Sequence, residues 1–352
     1  MTRPAPQTCT LRPNAPCAFP ENAMTTVFTP MPIFSRPGPM LDLLEAHAFT
    51  GARIEVAKPI TDENSIKALM ERAPEIEYLI ANTTPLDAAF FAAAANLKLV
   101  AMFGVGVEHI DLAAATRTGA LVTNVPGGNA RCVAELAFCF MLDLAHQATR
   151  MHMDMAAGAW KRRMGSEVTG KTLGIVGFGH IGQDMARLAK AFDMHVIFAN
   201  RTPRPELARE FGAEQLPLGD VLAQADFLTL HIPGGPNSWH FGAKEFAAMK
   251  QGAFFINAAR GEIMDLDALA VAVESGHLAG AGLDVFPEEP MDPAHPIFAL
   301  PQVIATPHAG GVSTESMIRV AASCLGEVAR VLNKQRSPNA RNPEVYADLA
   351  GF

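Results

Sequence analysis

The sequence predicts an α/β protein of two doubly wound parallel-sheet domains, the second inserted in the first. Three observations carry that expectation. The chain has 352 residues, enough for about two domains at roughly 150 residues each. Hydrophobic residues make up 49% and charged residues 18%, a globular balance that excludes a disordered chain, a collagen and a coiled coil. From Thr25 onward, short β-branched runs alternate with helical ones, the pattern of βαβ units around a parallel sheet.

Strands are expected at 25–28, 53–57, 77–81, 98–103 and 120–124, with helices at 38–47, 62–72 and 86–96 between them. An apolar, Ala-rich helix follows from Ala130 to His146 and on toward Met155; its length predicts a bridge between the two domains. The second series places strands at 172–176, 195–199, 227–231, 253–257, 280–284 and 302–305, and helices at 181–191, 204–211, 243–249 and 266–275. An amphipathic helix at 313–334 is expected to fold back on the first domain. The first domain is then 24–128 with 313–352, and the second 129–312. Residues 1–23 hold five prolines and little apolar periodicity, which reads as a disordered extension, with Met24 as a second start.

Lys and Arg total 28 against 36 Asp and Glu, a net charge of −8. Such a chain has no general attraction for a phosphate backbone, which argues against a nucleic-acid partner. No uninterrupted apolar run reaches the roughly 18 residues of a membrane span. Cys9, Cys17, Cys132, Cys139 and Cys324 are odd in number and have neither zinc nor disulfide spacing. Without a secretory signal, they point to a reducing, cytoplasmic compartment. No Cys/His/Asp cluster has metal-ligand spacing, so no metal is expected. Met151, Met153 and Met155 read as flexible packing, and Lys161-Arg162-Arg163 as a solvated turn.

Residues 171–182 read KTLGIVGFGHIG. An apolar strand runs into Gly177, Gly179, His180, Ile181 and Gly182, and a helical pattern follows. The first glycine permits a tight turn, the second lets a pyrophosphate approach the backbone, and the third lets helix pack on strand. The helix N-terminus offers unpaired N–H groups to the phosphates. This is the signature of a Rossmann dinucleotide-binding domain. An acid at the end of the next strand would accept the ribose hydroxyls of NAD. This chain has Asn200-Arg201-Thr202 there, with Arg204 close behind. Loss of the acid removes repulsion toward a 2′-phosphate, and Arg201 offers it a two-pronged partner. NADP(H) is therefore expected ahead of NAD(H).

Further polar groups stand just beyond apolar strands, where ligands bind in such sheets. One strand leads into Ala258-Ala259-Arg260-Gly261, the next into Asp284 and Glu288-Glu289, the last into Thr306-Pro307-His308 and Gly310-Gly311. The set suits hydride transfer to a 2-oxo acid. Arg260 can hold a carboxylate by two parallel hydrogen bonds. His308 can protonate the carbonyl oxygen, and Glu289 can fix the imidazole from its far side.

Together with Gly104-Val-Gly-Val-Glu-His-Ile-Asp111, Thr123-Asn-Val-Pro126, Val133-Ala-Glu135, Gly282-Leu-Asp284-Val-Phe and Glu289-Pro290, these segments make the chain resemble the D-isomer-specific 2-hydroxyacid dehydrogenases from about Thr25 to Tyr346. The resemblance implies Arg260, Glu289 and His308 as the catalytic residues, in a cleft between a flavodoxin-like substrate domain and the nucleotide domain. It implies that backbone N–H groups at Val105 and Gly106 hold the substrate carboxylate. It further implies that His231, Ile232 and Pro233 line the cofactor, that Asp284 faces the nicotinamide carboxamide, and that two copies pair through the nucleotide domain. Formate dehydrogenases carry a glutamine where Glu289 stands, which argues against that activity, and no C-terminal regulatory domain is expected. Asn237-Ser-Trp239-His240 replaces a Thr-rich run of the family and has no functional reading. The expected reaction is reduction of a glyoxylate-, hydroxypyruvate- or pyruvate-type acid. A dehydrogenase of another small anion such as phosphonate, or a nucleotide-sensing corepressor-like protein, are the alternatives.

Overall fold

A computed structural model describes residues 25–30, 52–56, 63–82 and 84–347. The extension at 1–23, the start at Met24 and the helix at 38–47 lie outside the described residues. The chain divides into two compact units, one running up to Gly128 and resuming at Met317, the other Asn129–Ser316.

The first unit is built on β1 (Thr25–Thr29), β2 (Ala52–Val56), β3 (Tyr78–Ala81), β4 (Leu99–Met102) and β5 (Leu121–Thr123). All pair in parallel, in the order β2-β1-β3-β4-β5. β3, β4 and β5 are buried along their whole length, as strands covered on both faces must be. The connecting helices are α1 (Glu63–Arg72), α2 (Ala88–Ala93) and α3 (Leu112–Thr118). Asp87 and Asp111 cap α2 and α3 by accepting from Phe90 N–H and Ala114 N–H, and Gly119 ends α3 with a φ of 79°. The sequence marks α3 only weakly, because its apolar face is alanine. Against one side of the sheet pack Phe90, Phe91, Leu97, Ile110 and Ala115.

The second unit begins with α4 (Ala130–His146), then α5 (Ala148–Ala156). Its strands are β6 (Thr172–Val176), β7 (His195–Ala199), β8 (Glu214–Gln215), β9 (Phe227–Leu230), β10 (Phe254–Asn257), β11 (Gly280–Leu283) and β12 (Val303–Ala305). Interleaved are α6 (His180–Ala191), α7 (Pro205–Phe211), α8 (Leu218–Gln224), α9 (Ala243–Ala248) and α10 (Leu266–Glu274). The sheet is parallel throughout, in the order β12-β11-β10-β9-β6-β7-β8. The order reverses between β6 and β9, the switch point where a doubly wound sheet opens a crevice. This is the expected α/β architecture.

The expected bridging helix does not form one rod. It breaks at Gln147, which adopts a φ of 57° while its side chain donates to Met164 O. Both halves belong to the second unit, and α4 packs on α6, β10 and β11. Glycine makes that packing close. A Cβ on Gly282 would sit 2.7 Å from Phe140 Cβ and 2.8 Å from its Cγ.

The helix α11 (Thr314–Leu332) starts in the second unit and ends in the first. Its residues Val320, Ala321, Cys324, Leu325, Val328 and Ala329 are buried with Val27, Tyr78, Ile80, Leu99 and Leu121 of the first sheet. Those positions repeat every three or four residues, the apolar stripe of a core-facing helix. No helix among the described residues is long and apolar enough to cross a membrane.

The Gly282–Phe140 approach gives a direct test. Gly282→Val should destabilise the second unit by about 1–3 kcal/mol through overpacking, seen as a lower urea midpoint; an unshifted midpoint would show that α4 can back away from β11.

Candidate active site

The ends of β6, β7 and β9 form one half of the site. After β6, Gly177 turns with a φ of 95°, and a Cβ there would lie 2.4 Å from His231 O. No larger residue fits that contact. Gly182 is as tight, since its Cβ would lie 2.3 Å from Gly177 O. Gly179 differs: a Cβ built there meets nothing within 4 Å. Gly179 also forms the N-cap of α6 without a side-chain hydrogen bond, so the first N–H groups of the helix, from His180 and Ile181 on, stay uncapped. Two tight glycines and one open one fit a pyrophosphate cradle. Phe178 anchors the loop by stacking on Phe198 at 4.0 Å between ring centroids.

Asn200 follows β7. Its Oδ1 accepts from Phe178 N–H at 3.4 Å and its Nδ2 donates to Thr202 O at 2.8 Å. Arg201 is exposed and has no ion-pair partner among the described residues. At the end of β9, His231 Nε2 lies 2.9 Å from Thr229 Oγ1, while Nδ1 is buried with no partner. Burial pushes the imidazole pKa down to about 3. Ile232 is buried and Pro233 exposed beside it.

The other half lies on β10, β11 and β12, neighbours in the sheet. Asn257 staples the turn after β10. Its Oδ1 accepts from Ala259 N–H at 3.0 Å and its Nδ2 donates to Arg260 O at 2.9 Å. Arg260 Nη1 donates to Ala259 O at 2.7 Å. Gly261 presses directly on Phe286, where a Cβ would sit 1.9 Å from that residue's carbonyl. The turn of Ala258, Ala259 and Arg260 is thereby held against the loop of Glu289.

His308 Nδ1 meets Glu289 Oε2 at 2.8 Å, and Glu289 Oε1 accepts from Phe286 N–H at 3.0 Å. The carboxylate thus has one oxygen for its own loop and one for the imidazole. His308 adopts a φ of 51°, a left-handed conformation that side chains rarely take. Asp284 is what holds it there. Its main-chain oxygen accepts from His308 N–H at 2.8 Å. Its carboxylate accepts from Thr306 Oγ1 at 2.6 Å, Ala309 N–H at 2.7 Å and Gly310 N–H at 2.8 Å. Asp284 is 1% exposed, and all three of these carboxylate bonds come from the 306–310 loop. A cavity of about 450 Å³ borders the pair, lined by Phe286, Pro290, Met291 and Phe298 with Glu289 and His308.

In the first unit, Val105 and Gly106 follow β4. Their N–H groups have no acceptor among the described residues. The turn is clamped from the segment just after β5, where Val125 N–H donates to Gly104 O at 2.8 Å and Asn124 Nδ2 to Val105 O at 2.5 Å. Asn124 belongs to the Thr123-Asn-Val-Pro126 segment, and nothing local in the sequence marks it as the clamp of this turn. No group of three or more His, Cys, Asp or Glu side chains among the described residues could hold a metal ion.

A sequence profile described as the NAD-binding domain of D-isomer specific 2-hydroxyacid dehydrogenases matches residues 138–310. A glyoxylate reductase of Korarchaeum cryptofilum is 36% identical over 289 residues, covering 80% of this chain and 87% of the relative. A D-3-phosphoglycerate dehydrogenase of Mycobacterium leprae is 40% identical over 278 residues, covering 78% of this chain but 52% of the relative. Among solved structures, a Thermus thermophilus protein superposes with a TM-score of 0.80 at 34% identity, over 90% of this chain and 100% of that one. An Aquifex aeolicus D-lactate dehydrogenase solved with NAD and lactic acid superposes at 0.77 and 26%, over 90% and 99% of the two chains.

His231, whose ring nitrogen Nδ1 is buried without a partner, makes stability depend on acid. From about pH 6.5 downward the unfolded chain takes a proton there that the folded chain refuses until about 3. Stability therefore falls as pH drops through that window, by up to about 1.4 kcal/mol per pH unit. His231→Gln should flatten the slope of urea-unfolding free energy between about pH 6 and 4, a region set by that titration; equal slopes in variant and wild type would contradict the assignment.

Proposed function

Because this chain belongs to the D-isomer-specific 2-hydroxyacid dehydrogenase family, we propose that it reduces a small 2-oxo acid of the glyoxylate, hydroxypyruvate or pyruvate type to the D-2-hydroxy acid, with NADP(H) preferred over NAD(H). The observation that carries the reading is the 2.8 Å contact between His308 Nδ1 and Glu289 Oε2, which follow β12 and β11, in a sheet row that continues to β10 and Arg260. The curated and solved relatives named glyoxylate reductase and D-lactate dehydrogenase support the substrate class.

When bound, the reduced nicotinamide supplies the hydride. Arg260 holds the substrate carboxylate through two parallel hydrogen bonds, which fixes the adjacent carbonyl. His308 has Nδ1 engaged with Glu289, so Nε2 is the atom that delivers a proton to the carbonyl oxygen. Glu289 keeps the ring in one orientation and one tautomer. Asp284 fixes the backbone from which His308 projects. In the first unit, the N–H groups of Val105 and Gly106 are donors for a small anion. The uncapped start of α6 receives the pyrophosphate, His231, Ile232 and Pro233 flank the dinucleotide, and Asn200, Arg201 and Thr202 meet the 2′-phosphate.

A homodimer through the nucleotide unit is part of the same reading. Trp160 is 84% exposed and Met164 92%, close together on one segment with the exposed Met153 and Met155. Exposed apolar side chains of this size on a nucleotide unit fit burial by a second copy. Light scattering should return twice the 37.5 kDa chain mass; the chain mass alone would remove this part of the reading.

Nicotinamide absorbance, followed with NADPH and NADH against glyoxylate, hydroxypyruvate and pyruvate, tests the chemistry. Turnover should be faster with NADPH. His308→Ala should cut kcat by about 10²–10⁴-fold, the usual contribution of a general acid, with NADPH affinity retained; loss of that affinity instead would contradict the role. Arg260→Lys should raise KM for the acid more than it lowers kcat, since a single ammonium cannot form the paired bonds.

A further inference from the structure

The turn between β7 and α7 is held by a residue from a different strand. Gln215 lies on β8, opposite Phe198 in the sheet register. From there its side chain reaches back over the 200–204 turn. Nε2 donates to Asn200 O at 3.2 Å and to Thr202 O at 3.3 Å, and Oε1 accepts from Arg204 N–H at 2.7 Å. One amide thus touches the turn at its beginning, middle and end. Asn200 adds its own bond to Thr202 O and ties the turn to the glycine loop through Phe178 N–H. Arg201 sits between the two carbonyls that Gln215 gathers, with its guanidinium in solvent.

Only an amide can do this. Two of the three bonds need a donor and the third an acceptor, from one terminal group. A carboxylate would face two carbonyl oxygens, and an aliphatic side chain would leave Asn200 O and Arg204 N–H to water and Thr202 O with its Asn200 bond alone. A guanidinium on a loose turn must lose conformational freedom when it pairs with an anion; one on a fixed turn has lost part of it already.

We propose that Gln215 is a selectivity-determining positioning residue, which fixes the 200–204 turn so that Arg201 and Thr202 meet a 2′-phosphate. The proposal rests on the preference for NADP(H) put forward above. Gln215 itself touches no cofactor in this reading and acts through the turn.

Calorimetric titration of the full chain with 2′,5′-ADP and with 5′-AMP, which differ only in the 2′-phosphate, separates the two nucleotide classes without turnover. Wild type should bind 2′,5′-ADP more tightly. Gln215→Met keeps volume and removes every bond, and should lower the ratio of the two affinities by about five- to tenfold, the scale of a lost hydrogen-bond set. The NADPH-to-NADH ratio of kcat/KM should fall in parallel. Combined with Arg201→Ala, the Gln215→Met change should have little further effect on the ratio, because both act on the same contact. An unchanged ratio in Gln215→Met, with wild type still favouring 2′,5′-ADP, overturns the role of Gln215 alone. An equal loss of both nucleotides makes Gln215 a general structural residue and also overturns it. A wild type that binds both equally removes the NADP(H) preference, and this inference with it.

Discussion

The carboxylate of Asp284 is buried at the end of β11 and takes hydrogen bonds from Thr306, Ala309 and Gly310. Burying a carboxylate costs several kcal/mol unless its oxygens are satisfied. Hydrogen bonds to a charged group contribute about 1.5–3 kcal/mol each, so three of them can offset that cost. They also offset the roughly 1–3 kcal/mol of holding a non-glycine residue such as His308 in a left-handed conformation. The imidazole leaves the backbone at an angle that an ordinary extended loop would not give. Contact with Glu289, the bordering cavity and the place of the loop on β12 all follow from that brace.

The sheet topology supplies the rest. Parallel strands carry their C-terminal ends to one edge, so loops distant in sequence become neighbours. Arg260, Glu289 and His308 come from loops after β10, β11 and β12, which are adjacent. The glycine loop comes from β6, at the point where strand order reverses. Short backbone approaches then lock loop to loop. Gly261 lies on Phe286, and Gly177 lies on His231; a side chain at either position would push two halves of one site apart.

Much of this was legible in the sequence, for physical reasons. Buried parallel strands are continuous apolar runs, so the ends of β6, β7 and β10 stand within a residue of their expected places. The glycine loop and the Arg260, Glu289 and His308 segments were visible because their chemistry is unusual at strand ends. What stayed hidden depends on contacts remote in sequence. β8 is two residues long and has no periodicity to read. Nothing local marks Gln215 as the staple of a turn over ten residues away. The break at Gln147 reflects a bond to Met164 O inside a stretch whose composition favours one helix. That the Asp284 carboxylate braces the 306–310 loop was equally hidden, because its three donors stand on a loop more than twenty residues away in sequence.

The helix α11 gives the two units different histories during synthesis. The nucleotide unit is continuous from Asn129 to Ser316, so every strand of its sheet is made before α11. The first unit has its sheet early but lacks Val320, Leu325, Val328 and the other residues that cover one face. Until those residues leave the ribosome, Val27, Tyr78, Ile80 and Leu99 have no helix over them. Domains fold as units as the chain emerges. The first unit therefore cannot complete its core from its own leading segment: it needs a helix made only after the whole inserted unit.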